Sequence, residues 1–226
     1  RWTNGSASTV TSMPLHLYLN AFANDTTLLM TSSGGQLRTA HASADSWGWI
    51  DVTSIREVGE AMPELRPTAH FVGPDETVLE VPLPRPVAPG EHIELALAFT
   101  AQLPEVFART GYRGAFTMVG QWFPKVGVRV GAPGAETWST LPFHGFAEFF
   151  ADFGVYDVKL TVPSTLVVAA TGVRTAVVDN PDGTRTHTFH AEDVHDFAWM
   201  TDPYMEVTEA PAMVDGSPVL VRVYAR

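Results

Sequence analysis

Six side chains able to bind a metal or move a proton lie between positions 187 and 196: His187, His190, Glu192, Asp193, His195 and Asp196. On an extended strand, residues an odd number of positions apart point to opposite faces. His187 and His190 therefore diverge, as do His190 and His195, and the group reads as polar residues on a hairpin and its following loop rather than as a ligand set. The His-Glu-x-x-His spacing that puts two imidazoles on one helical face for zinc does not occur, nor does a Gly-x-Ser-x-Gly nucleophile elbow. The carboxylates Glu148, Asp152 and Asp157 do not make an acid–base pair either. Asp157 alternates with Tyr156 and Val158 and should face solvent, while Glu148 and Asp152 flank the aromatic run Phe146, Phe149, Phe150, Phe153. No catalytic residue, no metal ligand and no cofactor is expected within these residues.

The elements that carry these side chains are strands. Ile93, Leu95, Leu97 and Phe99 share one face, as do Leu79, Val81 and Leu83, Tyr156, Val158, Leu160 and Val162, and Val219, Val221 and Val223. Such period-two alternation is the mark of half-buried strands. Turn residues separate the runs at Gly34-Gly35, Pro89-Gly90, Asn180 to Gly183 and Asp215-Gly216. The clearest hairpin pairs Val173 to Val178 with Thr184 to Phe189. Helical signal is confined to Pro104 to Arg109, where Pro stands at a permissible first-turn position. Thr31 to Ser46 and Gly131 to Thr140, rich in small and polar residues, read as surface loops. Roughly fourteen strand-like runs argue for packed antiparallel sheets.

Composition narrows the function classes. Of 226 residues 45% are hydrophobic and 17% charged, a globular balance. The net charge of −11 repels phosphate backbones and anionic lipid, so nucleic acid is not an expected partner. No segment has the roughly 18 consecutive apolar residues of a membrane helix. The absence of cysteine rules out disulfides and thiolate metal sites and leaves the compartment open, exported or cytoplasmic. Two acceptor triplets for glycosylation occur, at Asn4-Gly-Ser6 and Asn24-Asp-Thr26. The start at Arg1-Trp2 and the strand-like run to Arg226 both look cut from something longer.

Several segments together carry a resemblance: Leu15 to Phe22, read as a strand; Leu83 to Glu91; Gln121-Trp-Phe-Pro-Lys125; Phe143 to Val158; and His190 to Trp199. They resemble the N-terminal β-domain of the aminopeptidase N family of zinc metallopeptidases. The resemblance implies an all-β, antiparallel, saddle-like β-sandwich with very little helix, a single domain over residues 1–226 that is truncated at both ends relative to the family. It implies a following catalytic domain of the same polypeptide, a peptide substrate and a zinc ion held by that domain. The family's substrate-amine strand, of the Gly-Ala-Met-Glu-Asn type, is absent, since Gly59 to Met62 has the wrong order.

In the family the segment similar to Gly120-Gln-Trp-Phe-Pro124 reaches into the active-site cleft. The residue two after the Gln is often a Glu or Gln that hydrogen-bonds the substrate's free amine. Here that residue is Phe123, which offers a cation at most its π face. Gln121 is thereby the better polar contact, and Gln121 with Phe123 make the expected substrate-binding pair. The residue-level alternative is that Trp122 and Phe123 anchor a strand that Pro124 ends. The aromatic run at Phe146 to Phe153 reads as core, yet Trp122, Phe123, Phe143, Phe146 and Phe149 together exceed what one strand pair can bury, so part of that group should form an exposed apolar patch. A rival function is a free-standing β-sandwich binding or adhesion module using exposed Trp47, Trp49 and Trp138, and a variant of the first reading fuses the same domain to membrane permease segments.

Overall fold

The computed structural model describes residues 1–37, 39–43, 45–59 and 63–226, so Glu60 to Met62 of the Gly59 to Met62 segment lie outside the described residues. Strand accounts for 51% of the chain and helix for 6%, which makes the fold all-β as the alternation requires. Every pairing between named strands is antiparallel, distributed over small sheets. Two hydrophobic clusters organise them. The larger is built from the Val10–His16 and Val78–Val87 strands, the Trp49–Glu57 and Leu95–Gln102 pair and the Tyr18–Phe22 turn, with Phe22, Leu19, Ile55 and Leu79 wholly buried. The smaller centres on Leu160, Val168, Phe189 and Phe197, and Trp122 packs against both.

The predicted faces hold where a sheet is covered on one side. Ile93 is buried, and Leu95, Leu97 and Phe99 are partly buried between exposed neighbours; Leu79 and Val81 are buried. The hairpin of Val173–Asp179 with Thr184–Val194 forms with Val177 opposite His187 and Gly183 at φ +82°. Asp215 and Gly216, both at positive φ, turn Glu206–Val214 into Ser217–Ala225, but Val219, Val221 and Val223 are exposed, as are Val207 and Val214 on the partner strand.

Three expectations are corrected. Residues 17–22 do not continue the first strand: Tyr18–Phe22 is a 3-10 helix that buries all five of its residues. Pro104 to Arg109 is not helical. Gly111, at φ +136°, lets the chain fold back, so that Tyr112 N donates to Pro104 O and Val106 N to Tyr112 O, and a Cβ on Gly111 would lie 2.5 Å from Pro104 O. Helix appears instead at Leu28–Ser33, whose last turn enters the stretch from Thr31 to Ser46 that reads as loop. Thr27 caps its start by accepting from Met30 N, and Gly34 in the left-handed region ends it. Gly34 is thus a helix stop rather than a turn between strands.

The aromatic run is also not all core. Phe143 is 6% exposed and stacks on partly buried Phe149 at 4.2 Å, but Phe146 is 88%, Phe150 46% and Phe153 72% exposed. Of the five aromatics expected to share an apolar patch, Phe146 is exposed, Trp122, Phe123 and Phe149 are partly buried and Phe143 is buried. Helical or strand periodicity would have sorted these side chains, but residues 139–153 form no regular element, so their facing is decided by the surface they cross.

Candidate functional site

Gln121 lies in the loop between the Phe116–Val119 and Lys125–Val126 strands, not in a strand. Its φ is +57°, a left-handed conformation that non-glycine residues seldom adopt and that tends to mark functional or tightly constrained positions. The bend is held from behind: Gly120 N donates to Thr110 Oγ1 at 3.3 Å, and a Cβ on Gly120 would stand 3.1 Å from Arg109 O. The result is that the Gln121 side chain turns inward and is 5% exposed.

There it closes a three-membered polar ring. Its Nε2 donates to the Asp196 carboxylate, and its Oε1 accepts from Lys125 Nζ at 2.8 Å. Lys125 Nζ in turn lies 2.9 Å from Asp196 Oδ1, which also accepts from Phe197 N at 2.8 Å. Lys125 is buried, and burial holds its pKa below the usual lysine value, against the pull of Asp196. Neighbouring Tyr18 has its pKa raised, mainly by burial and further by the Asp196 charge. The ring of His16 stacks on Tyr18 at 4.9 Å, and its Nε2 donates to Ser139 O at 3.1 Å. Burial, with the Lys125 charge adding to it, lowers the His16 pKa.

Phe123 is half-buried. It meets Trp122 and Tyr156 edge-on at 5.3 and 5.8 Å, and the Lys125 ammonium stands 5.5 Å from its ring centroid. The cation–π face proposed for a substrate amine is thus offered to a lysine of the chain itself. Trp122 donates from Nε1 to Phe197 O at 2.9 Å, so it ties the loop to the second cluster. Above the ring opens a groove of about 370 Å³, with Gln121 and Asp196 on its floor, Met118 and Phe149 as apolar wall, and Glu148 and Arg109, paired with each other, at its margin. Gln121 keeps one amide N–H and one carbonyl lone pair beyond its ring bonds, and Asp196 is 17% exposed at its side chain. A hydrogen-bonding group with a modest apolar neighbour suits such a floor.

The sequence singles out Gln121 and Phe123 but not Lys125, and leaves Asp196 among the polar residues of a hairpin and its following loop. A lysine inside an aromatic run, in a chain with only 14 basic residues, was the available signal. The histidines fall as alternation required: His187 is buried while His190 is on the exposed face. His190 Nδ1 sits 2.7 Å from Asp157, opposite it on the neighbouring strand, and Nε2 3.1 Å from Glu192. Those two carboxylates, Asp157 first, hold its pKa above the usual histidine value. Among the described residues no three imidazole or carboxylate groups come together as a metal site. Of the three tryptophans named for a binding surface, Trp138 is occupied by Trp2, Arg129 and a bond from Nε1 to Ser12 O, and Trp47 packs partly buried on the larger cluster; Trp49 remains 37% exposed.

The sequence matches no protein-family model, and no curated relative matches it. The fold is similar to part of solved M1 zinc metallopeptidases. An M1 zinc metallopeptidase from Deinococcus radiodurans superposes with a TM-score of 0.53 at 19% identity, over 96% of this chain and 40% of that chain. A point mutant of the Deinococcus radiodurans enzyme bound to a Tyr-Ser-Ala substrate gives 0.54 at 18%, over 97% and 41%. A mutant described as a two-domain M1 zinc metallopeptidase, bound to L-tryptophan, gives 0.54 at 18%, over 95% and 40%. This chain therefore spans about 40% of the length of the structures it matches, and shares their fold over that part.

Proposed function

We propose that this chain is the non-catalytic N-terminal β-domain of a zinc aminopeptidase-like metallopeptidase, one domain over residues 1–226, forming a wall of the peptide cleft and packing on a catalytic domain of the same polypeptide. The observation that carries this reading is the match of nearly the whole chain to two-fifths of two-domain zinc peptidases. The exposed Phe146, Phe150 and Phe153 support it, because monomers seldom leave such aromatics bare unless a partner covers them. The zinc belongs to the other domain in this reading: the described residues do not fit it, since His187 and His190 point apart and both nitrogens of His190 are engaged by carboxylates. Bound there, zinc supplies carbonyl polarisation and water activation.

The work of this chain is then to bind and orient. Gln121 offers its spare lone pair to a substrate N–H, and the exposed edge of Asp196 supplies the negative charge that an α-ammonium requires. Lys125 keeps both in place. Phe123 acts through packing on Trp122 and Tyr156, and closes the side of the ring to water. The test is made on the complete polypeptide: its coding sequence should contain His-Glu-x-x-His beyond Arg226, and it should release amino acids from aminoacyl reporters. Gln121→Ala should raise KM more than it lowers kcat, by about tenfold, the scale of one charge-assisted hydrogen bond. A complete polypeptide without that motif, or with full activity in the variant, refutes the corresponding half of the reading.

A further inference from the structure

A second cleft, away from the Gln121 groove, is larger. It encloses about 700 Å³ between the outer face of the Trp49–Glu57 strand, the Arg66–Thr68 turn, the segment before the Leu28–Ser33 helix and the loop at Pro74 to Glu76. Strand alternation creates its chemistry. Ile50 and Val52 point into the core, so Trp49 and Asp51 share the outer face, one pleat apart at roughly 6.6 Å. A half-open indole therefore stands beside a carboxylate that, among the described residues, has no hydrogen-bond or ion-pair partner.

The other walls add both donors and acceptors. Asn24 has its carbonyl oxygen taken by Thr26 N and Oγ1, at 2.9 and 2.7 Å, which leaves its amide N–H groups to the cleft. Arg66 spends only Nε, on Val52 O at 2.6 Å, and lies with its guanidinium 5.9 Å from the Phe71 ring centroid, so its terminal N–H groups remain. Glu76, at φ +53°, presents a second carboxylate without a described partner. The spacing of the walls is fixed by one buried amide. Asn20, 6% exposed, accepts from Ile50 N through Oδ1 and donates to Glu76 O through Nδ2, both at 2.8 Å. The cleft is thus preorganised rather than a gap between loose loops.

Ligand classes separate on this set. Asp51, Asp75 and Glu76 against Arg66 leave two net negative charges, which turns anions away. A simple cation would need acceptors only and would leave the Asn24 and Arg66 donors unused. A sugar ring uses everything present: its C–H face lies on an indole, and its neighbouring hydroxyls, each donor and acceptor at once, bond to planar carboxylate, amide and guanidinium groups. We propose that this cleft is a binding site for a neutral saccharide, held on Trp49 and oriented by Asp51, Asn24, Arg66 and Glu76. The proposal does not depend on the peptidase reading.

The experiment titrates the chain with cellotriose, maltotriose and tri-N-acetylchitotriose by calorimetry, with saturation-transfer NMR to identify the ligand face, and with trilysine as the competing class. At least one trisaccharide should saturate below about 5 mM with its C–H protons receiving the transfer. Trp49→Ala and Asp51→Asn should each weaken it about fivefold or more, the scale of one aromatic contact or one hydrogen bond. Urea unfolding checks that each variant folds; Asp51→Asn, a surface change, keeps the test open if Trp49→Ala does not. Absence of saturation by all three sugars overturns the proposal. So do affinities unmoved by both variants, or binding of trilysine alone.

Discussion

Replacing Lys125 by Met removes a buried ammonium while keeping most of its stem volume. What remains is an Asp196 carboxylate, 17% exposed, that still accepts from Gln121 and Phe197 N but has lost its counter-charge, and a Gln121 carbonyl without its donor. Breaking a buried pair from one side costs about 3–5 kcal/mol, and the partial exposure of Asp196 puts this one near 3. For a domain of this size, where each kcal/mol moves Tm by about 2–4 °C, the expected fall is about 6–12 °C. Asp196→Leu alone should cost as much, because it strands the lysine. The double variant Lys125→Met with Asp196→Leu should recover most of the loss, since no buried charge remains. Urea unfolding of the four proteins reads the cycle. The pH sign follows from the depressed Lys125 pKa: its contribution is smallest below the folded pKa and is regained as pH rises toward the unfolded value of 10.5. Wild type should therefore gain on Lys125→Met as pH rises through the folded pKa toward 10.5. A single variant within about 0.5 kcal/mol of wild type, or a double variant as unstable as the two singles combined, refutes the buried-pair account.

Gly172 and Gly183 share a φ of +82°, but a Cβ on Gly172 would lie 2.3 Å from His190 O while Gly183 faces open space. Gly172→Ala should cost more than about 3 kcal/mol and Gly183→Ala about 1–2, compared by urea unfolding; equal losses would remove the steric argument. His190 should titrate above 6.5 by NMR and fall back in Asp157→Asn, so that its stabilising effect is present below pH 6.5 and lost as pH rises through the folded pKa; an unchanged value in the variant would count against the ion pair. Phe146→Ser, at an 88% exposed position, should leave unfolding free energy within about 0.5 kcal/mol while reducing self-association seen by light scattering; a large destabilisation would mean that the residue is core.

Alternation and turn chemistry determined the all-β class, the Asn180 to Gly183 hairpin, the divergence of His187 and His190 and the outward face of Asp157, because these depend only on the two-residue period of a strand. The all-β expectation and the likeness to part of a zinc metallopeptidase fold hold in the structure. Tertiary structure alone decided the rest. Leu15 to Phe22 carries a strand-like apolar run, yet burial on all sides of Tyr18–Phe22 permits a 3-10 turn, and local pattern cannot see a neighbour that covers every face. The aromatics from Phe143 to Phe153 lie outside regular elements, so no period told Phe143, inside, from Phe146, outside. Lys125 and Asp196 stand 71 positions apart, and only the left-handed bend at Gln121 and the packing of Trp122 on Phe197 O bring their charges to 2.9 Å. Sequence spacing carries the direction of a side chain along its own strand; the partner it meets across the fold is set by how the sheets close on one another.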